Sequence, residues 1–277
     1  MNLFISADIE GITGVVHNAH VNWPGSDYER ARKWMAADIN AAIEGALEVG
    51  ARRIVVNDAH GEMRNLIPDD LHPAAELVSG PSRPLGMLQG LDESFALVFC
   101  IGYHARTGSP EGIINHTFSG SVVSELRLNG QVVGELTVNA ALAGEIGVPV
   151  GLVTGDEATV LEARELLGEV EGVAVKKGYG RYAALCLHPE ESRRRIFEAA
   201  KRAMTRVEQF RPYRLSTPIA LELRFPRTPM ADAAELIPHV RRVDGVTITY
   251  EARSMVEANK LLQALVILAD AAMPKQR

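Results

Sequence analysis

Short apolar runs punctuate the first two-thirds of the chain. LFISA at 3–7, RIVV at 53–56 and ALVFCI at 96–101 are continuous rather than alternating. Strands buried on both faces of a parallel sheet have this pattern. VPVGLV at 148–153 continues the series and GVAV at 172–175 extends it. Between these runs the period becomes helical. Tyr28, Met35, Ile39, Ala42, Ile43 and Leu47 form one apolar stripe along 27–49, and Gly50 follows as a stop. Val160, Leu161, Ala163, Leu166 and Leu167 repeat the pattern over 157–168, after Asp156 as N-cap. Strands alternating with helices predict an α/β fold, doubly wound around a mostly parallel sheet.

Residues 113–138 break the rhythm. Their apolar positions alternate around Asn129-Gly130, the dipeptide of a tight hairpin turn. This reading places Glu135 in an otherwise apolar strand near the hairpin's end, with a short helical stretch after Ala140. Residues 189–210 read as a charged amphipathic helix, and 211–217, ahead of Pro218, as a linker. The tail then predicts strand 219–225, helix 230–241, strand 245–250 and helix 254–270. Two domains follow: an α/β part over 1–212 and a smaller α+β part over 213–277. The hairpin either joins the second part's sheet or stands alone. The stretch 11–26 is rich in turn residues, and a loop of that length in a compact domain is often functional.

Composition narrows the class. With 277 residues, 47% apolar and 23% charged, the chain buries a sizeable core without staples. A net charge of −6 and 5% aromatic residues point away from nucleic acid as a partner. No apolar run approaches the ~20 residues of a membrane span. The first residues lack the basic and apolar regions of a secretory signal, so a cytoplasmic protein is expected. Cys100 and Cys186 sit in apolar surroundings and read as free buried thiols.

The candidate chemistry lies where the strands stop. The first ends in Asp8-Ile9-Glu10-Gly11, the second in Asn57-Asp58-Ala59-His60, the third in Gly102-Tyr103-His104-Ala105. Open α/β sheets bind ligands beyond the carboxyl ends of their strands. Asp8 and Glu10 share one face of an extended chain, and two carboxylates so close require a cation or a proton between them. Oxygen and imidazole donors together suit a divalent transition metal, zinc first. His116 and Glu135 in the hairpin region are further candidates that spacing does not place. Taken singly, each residue has a plainer reading. Asp8 could cap a turn, His60 could belong to a loop, and His104 could bond a backbone carbonyl. His116 could sit on an exposed edge and Glu135 on a solvated face. Asp58 is either a carboxylate orienting a ligand histidine or a turn residue bonded to its own loop. His17, His20, His72, His188 and His239 read as surface residues, Gly151 to Asp156 as a strand leading into a cap, and Lys176 to Arg181 as a solvated basic turn.

Several of these segments, in order, resemble the M55 metallopeptidases. They are Ser6-Ala7-Asp8-Ile9-Glu10-Gly11-Ile12-Thr13-Gly14, Val56-Asn57-Asp58-Ala59-His60, Gly102-Tyr103-His104-Ala105-Arg106 and Val133-Gly134-Glu135-Leu136 with Asn139-Ala140. Leu71-His72-Pro73, Ser79-Gly80 and Gly90-Leu91-Asp92 are similar to the family's middle segment. The resemblance covers nearly the whole chain. It implies a two-zinc aminopeptidase acting on short peptides, with a D-residue at their N-terminus. The metal ligands are then Asp8, Glu10, His60, His104 and Glu135, with Asp8 bridging, and His116 is the catalytic histidine. His116 would stabilise the oxyanion, move a proton or act as nucleophile, a metal-activated water being the favoured attacking group. The family further implies a homodecamer of two stacked pentamers. Loop 11–26 and segment 105–115 are where specificity is expected. The rival functions are a metal-dependent amidohydrolase on a non-peptide substrate and a non-catalytic dipeptide-binding component of uptake.

Overall fold

The computed structural model describes residues 1–273. The first half runs β1 (Asn2–Ala7), α1 (Asn18–Val21), α2 (Tyr28–Glu48), β2 (Arg53–Asp58), β3 (Ala75–Val78), β4 (Leu97–Ile101), β5 (Glu125–Leu128) and β6 (Gln131–Val132). Then come α3 (Glu135–Ile146), β7 (Val150–Asp156), α4 (Glu157–Leu167), β8 (Glu171–Gly178), β9 (Ala184–Cys186) and α5 (Pro189–Thr205). The tail contains β10 (Ile219–Arg224), α6 (Thr228–Ala234), β11 (Arg241–Arg242), β12 (Thr247–Ala252) and α7 (Met255–Ala271).

Seven strands form one sheet in the order β3-β2-β1-β4-β7-β8-β9, parallel except for β9. The continuous apolar runs are explained by burial on both faces. Leu3, Ile5, Leu97 and Phe99 pack against α2 and α5 through Met35, Ile39, Ile43, Ile196 and Ala200. Phe4, Val55, Val98 and Cys100 face the opposite layer, with Leu136 of α3, Leu221 of β10 and Leu262 of α7. That layer carries a second, antiparallel sheet, ordered β11-β12-β10-β5-β6. Asn129-Gly130 makes the turn between β5 and β6, and β5 pairs with β10. The hairpin therefore joins the tail's sheet.

Several boundaries differ from the sequence reading, among them the helix expected over 189–210, which closes at Thr205, and the strand expected over 245–250, which is Thr247–Ala252. The hairpin is shorter than 113–138, because Ile114 and Phe118 adopt left-handed backbone (φ 49° and 57°) and 113–123 is a loop. Glu135 is not on a strand. It is the first residue of α3, after the extended N-cap Gly134. Every position from Glu135 to Gly144 is buried, so this helix has no polar face to reveal its period. Helix 230–241 closes at Ala234; in a continued helix the ring of Pro238 would clash with the Ala234 carbonyl four residues back.

Candidate metal centre

Parallel registry aligns the ends of the central strands. Ala7 of β1 pairs with Asp58 of β2 on one side and with Ile101 of β4 on the other. Asp8 follows β1 directly, and its amide donates to Ile101 O at 2.8 Å. His60 and His104 lie just beyond β2 and β4, so three strand ends deliver their side chains to one edge. The two loops beyond β1 and β4 are in backbone contact. Gly11 N donates to Gly102 O at 2.8 Å. A Cβ on Gly11 would lie 1.9 Å from Tyr103 O, so only glycine fits there. Glu135 arrives from the opposite layer at the positive end of α3, where a carboxylate is favoured.

All six predicted residues converge. His60 Nδ1 lies 3.0 Å from Glu10 Oε2 and 3.2 Å from Asp8 Oδ1. His104 Nε2 lies 3.3 Å from Glu135 Oε1 and 3.6 Å from Asp8 Oδ2. Asp8 thus offers one oxygen to each histidine. His116 Nε2 lies 3.7 Å from Glu135 Oε1 and 4.0 Å from Glu10 Oε1, and its ring stacks on His104 at 4.0 Å. Asp8, Glu10, His104 and Glu135 are buried, while His60 and His116 are half-buried.

The imidazoles share one device. Each is hydrogen-bonded to a backbone carbonyl through one nitrogen and turns the other inward. His60 Nε2 donates to Val21 O (2.8 Å), His104 Nδ1 to Ala105 O (3.0 Å) and His116 Nδ1 to Ile114 O (2.9 Å). Metal-binding histidines are oriented by second hydrogen bonds of this kind. Inside the cluster, Glu10 Oε2 and His104 Nε2 are buried without a hydrogen-bond partner among the described residues. Convergent, under-satisfied oxygen and nitrogen donors fit a divalent cation. Ligand-type atoms of Asp8, Glu10 and His104 form one group within 4.8 Å, and those of His104, His116 and Glu135 form another.

Without a cation, protons balance the charge. Burial and the neighbouring Glu10 push the Asp8 carboxyl up to about 7. Burial would also raise Glu10 and Glu135, but the facing histidines outweigh it and hold both low. Burial alone would lower His60 and His104, yet the surrounding carboxylates hold both well above the ordinary histidine range. His116 goes the other way, lowered by burial and by His104. It is the neutral imidazole of the cluster.

A cavity of 240 Å³ opens on Asp8, Glu10, His60, His116 and Glu135, with Met63, Met87, Phe118, Ser119 and Gly120 in its wall. A neighbouring cavity of 360 Å³ shares Asn22, His60 and Gly61 with it and adds Trp23, Tyr28, Glu29, Arg32, Glu62 and Arg64. The expected specificity loop 11–26 therefore lines both, whereas segment 105–115 lines neither.

Of the other residues singled out, some keep their plainer reading and some do not. Asp58 does not orient His60 directly. Its carboxylate accepts from the amides of Asn65 and Leu66 at 2.5 and 2.7 Å, bonding its own loop. Asp156 caps α4 as expected, accepting from Thr159 N at 2.8 Å. It also accepts from Ile113 N at 2.6 Å, which ties down the approach to His116. His17, His188 and His239 are exposed, but His20 and His72 are half-buried. The basic turn is not all solvated. Arg181 Nη1 donates to Asn115 Oδ1 at 2.6 Å, beside His116. Lys176 is buried at 2% exposure on β8, and the doubled Lys176-Lys177 offered no sign of it. Cys100 is buried and Cys186 half-buried, both unpaired.

Comparison with known proteins identifies the family. The D-aminopeptidase family profile, Peptidase M55, matches residues 1–264. D-aminopeptidase of Bacillus subtilis (strain 168) is 35% identical over 274 residues, covering 99% of this chain and 98% of that protein. Among solved structures, the Zn-dependent D-aminopeptidase DppA from Bacillus subtilis, described as a self-compartmentalizing protease, superposes with a TM-score of 0.94. It is 34% identical, and the match covers 98% of each chain. Matched over nearly its whole length in family, sequence and structure, this chain belongs to the M55 peptidases, the D-aminopeptidase family.

Proposed function

We propose that the chain is a zinc aminopeptidase hydrolysing short peptides with an N-terminal D-residue, at a site for two zinc ions. The observation that carries this reading is the convergence of three carboxylates with imidazole nitrogens whose opposite nitrogens are fixed by backbone carbonyls. Asp8, Glu10, His60, His104 and Glu135 are the proposed ligands. Asp8, with one oxygen toward each of His60 and His104, is the proposed bridge. The family membership supports the D-residue, and the Zn-dependent relative supports the metal. When bound, the ions would polarise the scissile carbonyl and lower the pKa of the attacking water.

The chain's own groups supply the rest. His116 is held in one tautomer by Ile114 O, so Nε2 faces the cavity with a free lone pair. Neutral and half-buried, it is suited to take a proton from the attacking water and return it to the leaving amine. The smaller cavity holds the scissile bond. The larger one receives the peptide beyond it, between Trp23, Arg32 and Glu62.

A second reading makes His116 a ligand, because its Nε2 groups with His104 and Glu135 within 4.8 Å. Metal content and hydrolysis of D-Ala and L-Ala peptides, measured for wild type, His104→Ala and His116→Ala, separate the two. The proposal expects two zinc ions per chain and D-selective cleavage in wild type. Zinc falls in His104→Ala and stays in His116→Ala, with activity lost in both. Zinc loss in His116→Ala would make it a ligand. Zinc without cleavage of either peptide series would favour an amidohydrolase on another substrate, and absence of both a dipeptide-binding protein.

A homodecamer of two stacked pentamers is proposed for the assembly, supported by the relative described as self-compartmentalizing. Mass in solution tests it. The cytoplasm is the proposed compartment, supported by two free thiols. Among the described residues no helix is long and apolar enough to cross a membrane. A division into 1–212 and 213–277 is proposed as well, with the β5–β6 hairpin lent to the smaller part's sheet.

A further inference from the structure

We propose that Lys176, on β8, is a positioning residue for the metal-binding pair Asp8 and Glu10, fixing through its ammonium the backbone turn that aims Glu10 into the site. This rests on the metal-site reading above.

The segment after β1 is a buried loop. Residues 9–13 are buried, yet they form neither helix nor strand, so their carbonyls lack the regular ladder of partners. Ile12 N meets Ile9 O within the loop at 3.2 Å, and Lys176 meets the carbonyls that follow. Its Nζ donates to the carbonyls of Glu10, Ile12 and Val15, the last two at 3.0 and 2.6 Å. The peptide unit after Glu10 is thereby held at both ends, its oxygen by Lys176 and its nitrogen by the bond from Gly11 N to Gly102 O. On the other side of Glu10, Ile9 N donates to Asp8 Oδ1 at 2.8 Å. The two pins fix the orientation of that peptide and the course of the chain as it leaves Glu10, and so hold the backbone from which the Glu10 side chain reaches the cluster.

The residue type matches the task. An ammonium carries three donors on one small centre and accepts nothing. A planar guanidinium would spread its donors across a wider fork. Burying a cation among neutral carbonyls is costly, and the Lys176 ammonium sits under the site, bonded to the one loop that carries two proposed ligands.

The test uses Lys176→Met, which removes every donor, and Lys176→Gln, which restores some. Leu265→Ala, in the core face of α7, serves as a control for general loosening. Zinc affinity is measured by chelator competition on metal-stripped, refilled protein, together with Tm. Amide exchange over 9–15 is followed in the metal-free state. We expect Lys176→Met to weaken zinc binding by about 10–100-fold, the range for losing a group that orients a ligand. Lys176→Gln should fall between it and wild type, with faster exchange confined to 9–15. Leu265→Ala should lower Tm and leave zinc affinity alone.

Wild-type affinity in a folded Lys176→Met protein would overturn the proposal, as would an equal loss in Leu265→Ala. If Lys176→Met does not fold, unchanged affinity in Lys176→Gln overturns it. Failure of the wild type to bind zinc would instead count against the metal-site reading. The exchange comparison would then still decide whether Lys176 holds the loop.

Discussion

Asp38 offers a quantitative test of how the α2–α5 layer is held. Its side chain is buried at the α2–α5 contact, with Arg193 Nε at 3.6 Å from Oδ1. Neither carboxylate oxygen has a hydrogen-bond partner among the described residues. Burial pushes the carboxyl from 3.8 up to about 7, against the pull of Arg193. A raised folded-state pKa means that the native state binds the proton more tightly than the unfolded chain does. Stability from this group is full below about pH 4, falls as pH rises toward 7, and is lost above it. At ~1.4 kcal/mol per unit, the whole window is worth about 4 kcal/mol, and the part between pH 5 and pH 7 about 3 kcal/mol. Asp38→Asn keeps the shape and abolishes the titration. Urea unfolding of both proteins at pH 5 and pH 8 should show the variant gaining on wild type by about 3 kcal/mol between the two. The comparison is differential, so any fixed cost of the amide cancels. An advantage that does not change with pH would refute the reasoning. It would mean that Arg193 keeps Asp38 ionised throughout.

Further outcomes follow from the site. Zinc uptake at pH 7 should release protons from His60, His104 and Asp8, all shifted upward in the metal-free cluster, so affinity should fall as pH falls. Calorimetry in buffers of different ionisation enthalpy reads the released protons, and proton-neutral uptake would contradict the charge state. Gly11→Ala should weaken zinc binding by about 10-fold or more, because the new Cβ must push the Glu10 loop off Tyr103 O. Trp23→Ala should raise KM for short peptides with little change in kcat, since Trp23 lines only the outer cavity. A kcat loss as large as the KM rise would place it at the reacting bond instead.

Much of the parallel sheet was legible because its strands are buried on both faces, and short unbroken apolar runs such as LFISA and ALVFCI suit a strand covered by two layers far better than one facing water. The first half of the site was legible for a related reason: parallel strands in register end together, so Asp8, His60 and His104 had to share an edge. Glu135 was harder. A helix buried on every side loses its 3.6-residue stripe, and Gly134-Glu135-Leu136 then passes for the end of a hairpin. His116 lies in a loop whose course depends on Asp156 and Arg181, contacts across long sequence separations that no local pattern records. Lys176 was read in the wrong environment because a lysine pair ordinarily marks solvent, and only the buried carbonyls of another loop explain it.

The three imidazoles owe their orientation to the main-chain oxygens of Val21, Ala105 and Ile114. Every amino acid carries that oxygen, so no exchange of side chain at these three positions deletes an acceptor. The aim of the histidines is therefore insulated from mutational drift in the residues that provide it. The same insulation constrains engineering. Retuning these rings by point substitution has no acceptor to remove, and the route left is to move the backbone itself, through loop length, glycine or proline.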